Sequence, residues 1–341
     1  MRRLGLALIL LVLVLLGFLL WASSGRLSDD ALATTTRYDA RFAPLSDTLT
    51  VATYNIGYLS GMTNNRPVNR SRALFAQNMD AAAALLREAD ADVVGFQEID
   101  FGAARSYRVH QLDTLARRLG YPASATAVNW DERYVPFPYH WNPTRHFGRL
   151  LSGQAVLSRR PIVGHRRIEL ARTSRPFWND MFYLDRLAQV VHLDGGADTL
   201  AVINVHLEAF EQATREAQAA AVNALYRREA ARHPTLLMGD VNSVLPRHKA
   251  SLPPPDSARY AGDSTLATLL EGTGLQPAVP DAFAGTFPAD APRRMIDHIF
   301  YDPARFTLLD VQIVGGGSSP PSDHRAVVAR FARSPRAILP Q

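Results

Sequence analysis

Polar side chains follow several apolar, strand-like segments at the point where each segment ends. They are amides, carboxylates and imidazoles: Asn55, Glu98, His206, Asp240, Asn242, Asp297, Asp323 and His324. Each of them taken alone is explained equally well as a turn former, a cap or a structural histidine. As a set they collect where loops leave strand ends, and ligands bind at that edge in α/β folds.

The carboxylates and the amides suit a hard cation. Mg²⁺ takes oxygen ligands, keeps several waters and needs only one or two carboxylates plus a substrate phosphate. Glu98 and Asn55 supply such oxygen atoms. A cation held there would neutralise phosphate oxygens and stabilise a leaving group. The chain has no cysteine, which excludes disulfides, thiolate metal sites and cysteine nucleophiles.

The remaining residues suit the attack of water on phosphorus. A carboxylate such as Asp240 is suited to positioning and deprotonating water. Charge that develops on the phosphoryl oxygens needs preorganised donors, which Asn242, His206 and His324 provide. A catalytic imidazole is oriented by a carboxylate on its other nitrogen, and Asp297 is the candidate partner of His324.

The segments between these residues alternate between strand-like and helix-like patterns. Strands are predicted over residues 49–56, 92–97, 154–157, 189–193, 200–207, 235–238, 295–301 and 326–331, and helices over 71–88, 107–119, 213–232 and 264–271. Several strands follow one another without room for a crossover helix, which favours mixed sheets. The simplest division is one catalytic domain over residues 48–333 and a tail over 334–341.

The order of the motifs resembles the endonuclease/exonuclease/phosphatase superfamily, which includes pancreatic-type deoxyribonucleases, abasic-site endonucleases, inositol polyphosphate 5-phosphatases and bacterial neutral sphingomyelinases. The motifs are Tyr54-Asn55-Ile56, Gln97-Glu98, Ser152 to Arg159, Asn204 to Leu207, Gly239 to Asn242, Ile296 to Phe300 and Ser322 to His324. The resemblance implies a four-layer α/β sandwich, in which two mixed β-sheets pack face to face with helices outside.

The resemblance also implies a role for each site residue and a metal cofactor. The implied metal ligands are Asn55, Glu98 and Asp323, and the implied catalytic residues are His206, Asp240, Asn242, Asp297 and His324. Glu98 would be the main ligand, and Asp323 would lie near the metal directly or through water. The expected ion is Mg²⁺, with Mn²⁺ as the alternative, and the expected activity is hydrolysis of a phosphoester.

The first residues predict attachment to a membrane or export across it. Arg2 and Arg3 precede an unbroken apolar run from Leu4 to Trp21. As a helix this run is about 27 Å long, enough to cross the hydrocarbon core. A cleaved signal peptide has a shorter apolar region of about 7–15 residues, although residues 22–24 are small enough for cleavage. We favour an anchor over residues 1–22 and a tether over 23–47, with the body outside the cytoplasm because the arginines precede the run.

The substrate class stays open between lipid and nucleic acid. Residues 129–147, which we interpret as a loop, hold the aromatic side chains of Trp130, Tyr134, Phe137, Tyr139, Trp141 and Phe147. This segment would stack bases, lie on a lipid interface or cover one end of the core. We favour a phosphodiesterase for a lipid or another phosphodiester. The net charge is +5, but the sequence has no long run of lysine or arginine of the kind that marks a dedicated nucleic-acid-binding protein. A secreted or anchored nuclease is the alternative. A binding protein on an inactive hydrolase scaffold is disfavoured, because no expected polar residue is missing.

Overall fold

Strands dominate the body of the protein, because its short apolar segments are rich in β-branched residues. The computed structural model describes residues 2–42, 46–138, 141–173, 176, 180–196, 198–280 and 284–333. The predicted tail and Tyr139 lie outside the described residues.

The strands are β1 Ala33–Arg37, β2 Thr48–Asn55, β3 Val93–Asp100, β4 Ala123–Val135, β5 Gly148–Ser158, β6 Ile162–Glu169, β7 Leu187–Asp194, β8 Thr199–His206, β9 Thr235–Asp240, β10 Gln276–Pro277, β11 Asp297–Tyr301, β12 Phe306–Val314 and β13 Ala326–Arg333. The helices are α1 Arg2–Ala22, α2 Arg72–Ala89, α3 Gln111–Leu119, α4 Gln212–Ala230, α5 Pro246–Lys249, α6 Asp256–Tyr260 and α7 Thr265–Leu270.

The strands form two mixed sheets. A seven-stranded sheet has the order β1-β4-β5-β3-β2-β13-β12, and a six-stranded sheet has the order β10-β11-β9-β8-β7-β6. The neighbours β2 and β3 are parallel, as are β8 and β9. Each parallel pair is joined by a crossover that contains a long helix, α2 in the first case and α4 in the second. The prediction of mixed sheets is confirmed.

The apolar faces of the elements stack them in four layers. Buried side chains from both sheets, including Val51, Val93, Val202 and Met238, fill the space between the sheets. The outer face of the seven-stranded sheet is covered by α2 and α3. The outer face of the six-stranded sheet is covered by α4 and α7. The predicted four-layer α/β sandwich is therefore the fold of the chain.

Strand register brings the site residues to one edge of the sandwich. In the six-stranded sheet, Asp240 lies opposite His206 on one side and Asp297 on the other. In the seven-stranded sheet, Asn55 lies opposite Gln97, the residue before Glu98. Since β2, β8 and β9 end at these residues, the loops that follow them leave from the same edge.

Several elements, among them β6 and β12, were not predicted from the sequence, and two segments contradict a stated interpretation. Residues 33–37 of the predicted tether form β1, which pairs with β4 from Ala33 opposite Ala127 to Arg37 opposite Ala123. The segment 129–147, interpreted as a loop, is strand up to Val135. β1 gains its hydrogen bonds from the first half of β4, whereas the residues from Trp130 to Val135 pair with β5. In both cases the strand depends on a partner that local sequence does not report.

The helix α1 projects from the sandwich. Its side chains from Leu4 to Trp21 are exposed except at Leu19, whereas Ala22 is buried. Among the helices of the described residues, it is the one that is long and apolar enough to cross a bilayer. Its last turn packs against Trp130 and Phe147 of the sandwich.

Candidate active site

Asp240 lies at the centre of the predicted residues. Its Oδ2 atom accepts a hydrogen bond of 3.0 Å from Asn55 Nδ2, and lies 3.6 Å from His206 Nε2 and 3.9 Å from His324 Nε2. Its Oδ1 atom accepts a 2.9 Å hydrogen bond from the backbone N–H of Asn242. Residues from both sheets thus converge on one carboxylate.

Glu98 reaches the same cleft through an irregularity in β3. Its φ is +52°, an uncommon value for a residue with a side chain. The pairing of β3 with β5 shifts register between Phe96 and Ile99, which turns the Glu98 side chain out of the regular alternation. Its Oε1 atom lies 3.4 Å from Asn55 Nδ2 and 3.9 Å from His206 Nε2.

Asn64 links Glu98 to Asp323, a contact that the sequence did not predict. Its Nδ2 atom donates to Glu98 Oε2 at 2.9 Å and lies 3.4 Å from both carboxylate oxygens of Asp323. Gly57 leaves room for this arrangement, because its φ is +52° and a Cβ atom there would lie 2.6 Å from Asp323 Oδ1. Burial and the Glu98 carboxylate raise the pKa of Asp323 to about 6, against the opposing effect of His324.

His324 and Asp297 form the predicted imidazole–carboxylate pair. His324 Nδ1 and Asp297 Oδ2 are 2.9 Å apart, which leaves His324 Nε2 directed at Asp240. Burial alone would lower the pKa of His324, but the carboxylates of Asp297, Asp240 and Asp323 outweigh it and raise the pKa to about 10. The imidazole is therefore a cation at neutral pH.

Burial sets the charge of the other two central groups. Burial and the nearby Asp297 carboxylate raise the pKa of Asp240 to about 7, so that this carboxyl exchanges a proton near neutrality. Burial, with the positive charges of Arg186 and His324, holds the pKa of His206 well below its usual range. His206 is therefore neutral and can donate from only one ring nitrogen.

The two predicted amides are oriented by hydrogen bonds. Asn55 directs its Nδ2 atom at the carboxylates, while its Oδ1 atom accepts from Gly57 N–H at 3.1 Å. Asn242 directs its Nδ2 atom at the backbone oxygen of Leu207, 3.0 Å away. In this arrangement the Asn55 amide holds Asp240, and the Asn242 amide holds the backbone that follows β8. Their roles as a metal ligand and as a phosphate donor stay predictions.

Arg186 lies behind His206 and was not predicted from the sequence. It is buried, and its Nε atom lies 3.4 Å from Glu208 Oε2. Its Nη1 atom has no hydrogen-bond partner within the described part of the chain. The residue after it, Leu187, pairs with His206 across β7 and β8. Nothing in the sequence distinguishes this buried arginine, which lies just before a strand, from an arginine on the protein surface.

Comparison with known proteins agrees with this geometry. The profile of the Endonuclease/Exonuclease/phosphatase family matches residues 52–324, most of the chain. The chain belongs to the endonuclease/exonuclease/phosphatase family. Members of this family hydrolyse phosphoester bonds, and they are generally dependent on a divalent metal. A comparison with curated proteins returns no match.

Solved structures of the family share the fold at low sequence identity. An endonuclease/exonuclease/phosphatase from Beutenbergia cavernae has a TM-score of 0.61 at 22% identity, covering 86% of this chain and 73% of its own. A mannosyl-6-phosphatase from Bacteroides thetaiotaomicron has a TM-score of 0.54 at 18% identity, covering 83% and 99%. The human Nocturnin catalytic domain has a TM-score of 0.53 at 16% identity, covering 91% and 100%. At these identities the similarity shows the fold.

The donor set of this family member fits a divalent cation. Glu98 and Asp323 present carboxylates to each other across the Asn64 amide. Asp240, Asp297 and His324 offer a second group, whose ligand atoms all lie within 4.8 Å of one another. Asp297 Oδ1 is buried with no hydrogen-bond partner in the described residues. A divalent cation bound among these carboxylates would offset their mutual repulsion.

Proposed function

We propose that this protein is a divalent-metal-dependent phosphodiesterase that acts outside the cytoplasm on a lipid or another phosphodiester. One observation carries the proposal: a single carboxylate, that of Asp240, lies within hydrogen-bonding reach of Asn55 and within 4 Å of His206 and His324. An amide, a neutral imidazole and a cationic imidazole around a carboxylate of near-neutral pKa suit the attack of water on phosphorus.

The reaction follows from the charge of each group. Ionised Asp240 accepts a proton from water, and its hydrogen bonds from Asn55 and from the Asn242 N–H fix the direction of its oxygens. Cationic His324, oriented by Asp297, binds the phosphoryl oxygens and stabilises their charge in the transition state. Neutral His206 donates its Nε2–H to the same group. The water oxygen forms its bond to phosphorus as the bond to the leaving oxygen breaks. The leaving oxygen takes a proton from solvent, and Asp240 returns its proton to solvent.

The carboxylates of Glu98 and Asp323, with Asn55 beside them, would hold Mg²⁺ or Mn²⁺. When bound, the cation neutralises phosphate oxygens and stabilises the leaving group. The location outside the cytoplasm rests on α1 and on the arginines that precede its apolar run.

The test is hydrolysis of an activated phosphodiester by the purified full-length protein in detergent. Turnover should require Mg²⁺ or Mn²⁺, stop with a chelator and return when metal is restored. Glu98→Gln and His206→Ala should each lower kcat by about 100-fold or more, the scale seen when a group that stabilises the transition state is removed. Circular dichroism and thermal unfolding would establish that both variants fold.

Glu271→Gln is the matched control for Glu98→Gln, because Glu271 is exposed and lies after α7. Its turnover should equal that of the unmodified chain. Turnover that survives chelation, or Glu98→Gln turnover equal to that of Glu271→Gln, would contradict the proposal. Offering the same preparation phospholipid vesicles, plasmid DNA and RNA would separate a lipid phosphodiesterase from a nuclease.

A further inference from the structure

The end of α1 and the active site are connected by adjoining loops. Ala22 is buried against the sandwich, and Leu19 packs beside it. The Phe18 ring lies 6.1 Å from the Tyr134 ring near the end of β4. The domain is therefore not suspended on a free tether. It contacts the final residues of the apolar helix, at the depth where a membrane-spanning helix leaves the hydrocarbon.

The loop between β4 and β5 continues from this contact towards the site. At its base, Phe147 N–H donates to Phe137 O at 2.7 Å, and both rings pack in the cluster that receives α1. Near its end, Arg145 Nη1 lies 3.4 Å from Pro67 O. The segment containing Pro67 also contains Asn64, which binds Glu98. One side of the active-site entrance is thus continuous with the end of α1.

This side of the entrance, which we call the anchor-side rim, is defined by Trp141, Arg145, Val68 and Tyr107. Arg145 contacts Pro67, which precedes Val68, and the Tyr107 hydroxyl donates to the backbone oxygen of Arg70 in the same segment. Trp141 is fully exposed and is the most exposed large apolar side chain in the described part of the chain, α1 included. Val68 and Tyr107 are exposed by 39% and 40%. Exposed Trp and Tyr are favoured where a bilayer meets water, since their rings are partly apolar and partly polar.

We propose that the anchor-side rim rests on the bilayer that α1 enters, so that the substrate is a phosphoester in the lipid headgroup layer. The substrate part of this inference rests on the proposed function, whereas the contact with the bilayer does not. A cleft whose rim touches the headgroups meets its substrate at a high effective concentration. The opposite edge of the seven-stranded sheet, formed by β12, would face water.

The contact is tested by the position of the rim relative to lipid. Because the chain has no cysteine, Trp141→Cys and Leu309→Cys each give a single labelling site. Leu309 is the matched control: it is an exposed apolar residue, 51% accessible, on β12 at the far edge of the sheet. Each full-length variant would carry an environment-sensitive fluorophore and be reconstituted in nanodiscs.

A quencher attached to lipid should reduce the fluorescence at position 141 strongly and at position 309 little, and a water-soluble quencher should give the reverse order. Equal quenching of both positions by the water-soluble reagent would overturn the proposed contact. This measurement does not depend on turnover, and so it stands even if the chain proves not to be a phosphodiesterase.

The substrate class is tested with Trp141→Ser and Leu309→Ser. Trp141→Ser should lower turnover of a phospholipid in the nanodisc by about tenfold, because interfacial aromatic contact is lost, and leave turnover of a water-soluble activated diester unchanged. Leu309→Ser should change neither. An equal effect of Trp141→Ser on both substrates, or a preference of the full chain for DNA or RNA, would overturn the headgroup assignment. Absence of turnover with every substrate would instead be a failure of the proposed function.

Discussion

Asp297 influences two groups of opposite charge. It is hydrogen-bonded to His324 and paired in register with Asp240. Its negative charge raises the pKa of both residues. For His324 the higher pKa maintains a cation at the proposed phosphate site, and for Asp240 it brings a buried carboxyl into the range where it can exchange protons with water.

The pH dependence of kcat follows from these two pKa values. Asp240 must be ionised to accept a proton, so the rate should rise through about pH 7. His324 must be protonated to stabilise the phosphoryl oxygens, so the rate should fall through about pH 10. Asp297→Asn removes a negative charge and should move both limbs of the profile to lower pH. The check is kcat against pH at saturating metal, and unmoved limbs in Asp297→Asn would disprove the coupling.

Asn64 should control the binding of metal more than the chemical step. Asn64→Ala removes the donor between Glu98 and Asp323, and their repulsion would then disorder the ligands. We expect the metal concentration for half-maximal activity to rise by about tenfold, as when a group that orients metal ligands is lost, with kcat at saturating metal nearly retained. The measurement is activity against Mg²⁺ concentration. Gln312→Ala, on exposed β12, should leave the curve unmoved, and an unmoved curve for Asn64→Ala would refute this role.

Site residues were predictable where polarity interrupts an apolar strand. His206 and Asp240 end strands whose other residues are mostly apolar and almost all buried. The change from apolar to polar residues makes these two positions conspicuous in the sequence. Asn64 has no such contrast, because it lies in a polar loop beside Thr63 and Asn65. The role of Arg186 depends on its distance from His206, which only the folded chain establishes.

A buried amide network joins the two sheets beneath the active site. Gln97 Nε2 donates to Asn204 Oδ1 at 2.6 Å, and Asn204 Nδ2 donates to Phe96 O at 3.0 Å and to Gln189 Oε1 at 3.1 Å. Gln97 precedes Glu98, and Asn204 lies two residues before His206. These bonds therefore hold the edge carrying the carboxylate in register with the edge carrying the imidazole.

Removal of the Asn204 amide should reduce both stability and activity. Asn204→Ala leaves buried donors and acceptors unsatisfied, at about 1–3 kcal/mol each, and lets the two sheets shift under the site. We expect a lower urea midpoint and a lower kcat. Asn223→Ala is the comparison, since Asn223 binds carbonyls at the end of α7, in the outer layer. That variant should lose stability but keep kcat, and an identical pattern in Asn204→Ala would show that the network does not position the site.

Elements were predictable where apolar residues run without interruption, as in β9, which is buried throughout. The pattern fails for β1, whose sequence Ala-Thr-Thr-Thr-Arg is largely exposed and gains its structure from pairing with β4. It also fails for β4, where Asn129 and Glu132 are buried in a strand despite their polarity. Pairing with another strand, β4 in the first case and β5 in the second, decides both cases, and local propensity does not encode it.

The edge strand β1 extends the sandwich towards α1. Leu27, Leu32 and Tyr38, on either side of it, pack against the core that lies under α2 and α3. Asp131 accepts hydrogen bonds from the backbone N–H groups of Arg26 and Leu27. The chain that follows α1 is thus attached to the sandwich along most of its length.

Truncation on either side of β1 should have different effects. A chain that begins at Ser24 keeps β1, whereas one that begins at Phe42 exposes the edge of β4 and the apolar surface beside it. We expect the second chain to unfold about 5–10 °C lower, since each kcal/mol lost shifts the Tm of a large domain by about 2–4 °C. Thermal unfolding of both chains is the measurement, and equal Tm values would show that β1 contributes nothing to stability.

The position of β13 has a consequence for biosynthesis. This strand is inserted between β2 and β12, and His324, just before it, lies 3.4 Å from Asn55, 269 positions earlier. A nascent polypeptide that has emerged only as far as β12 holds Asn55, Glu98, His206, Asp240 and Asp297 but lacks its cationic imidazole. The group of residues proposed to carry catalysis is therefore completed only when the segment between β12 and β13 has been synthesised and has folded beside β2.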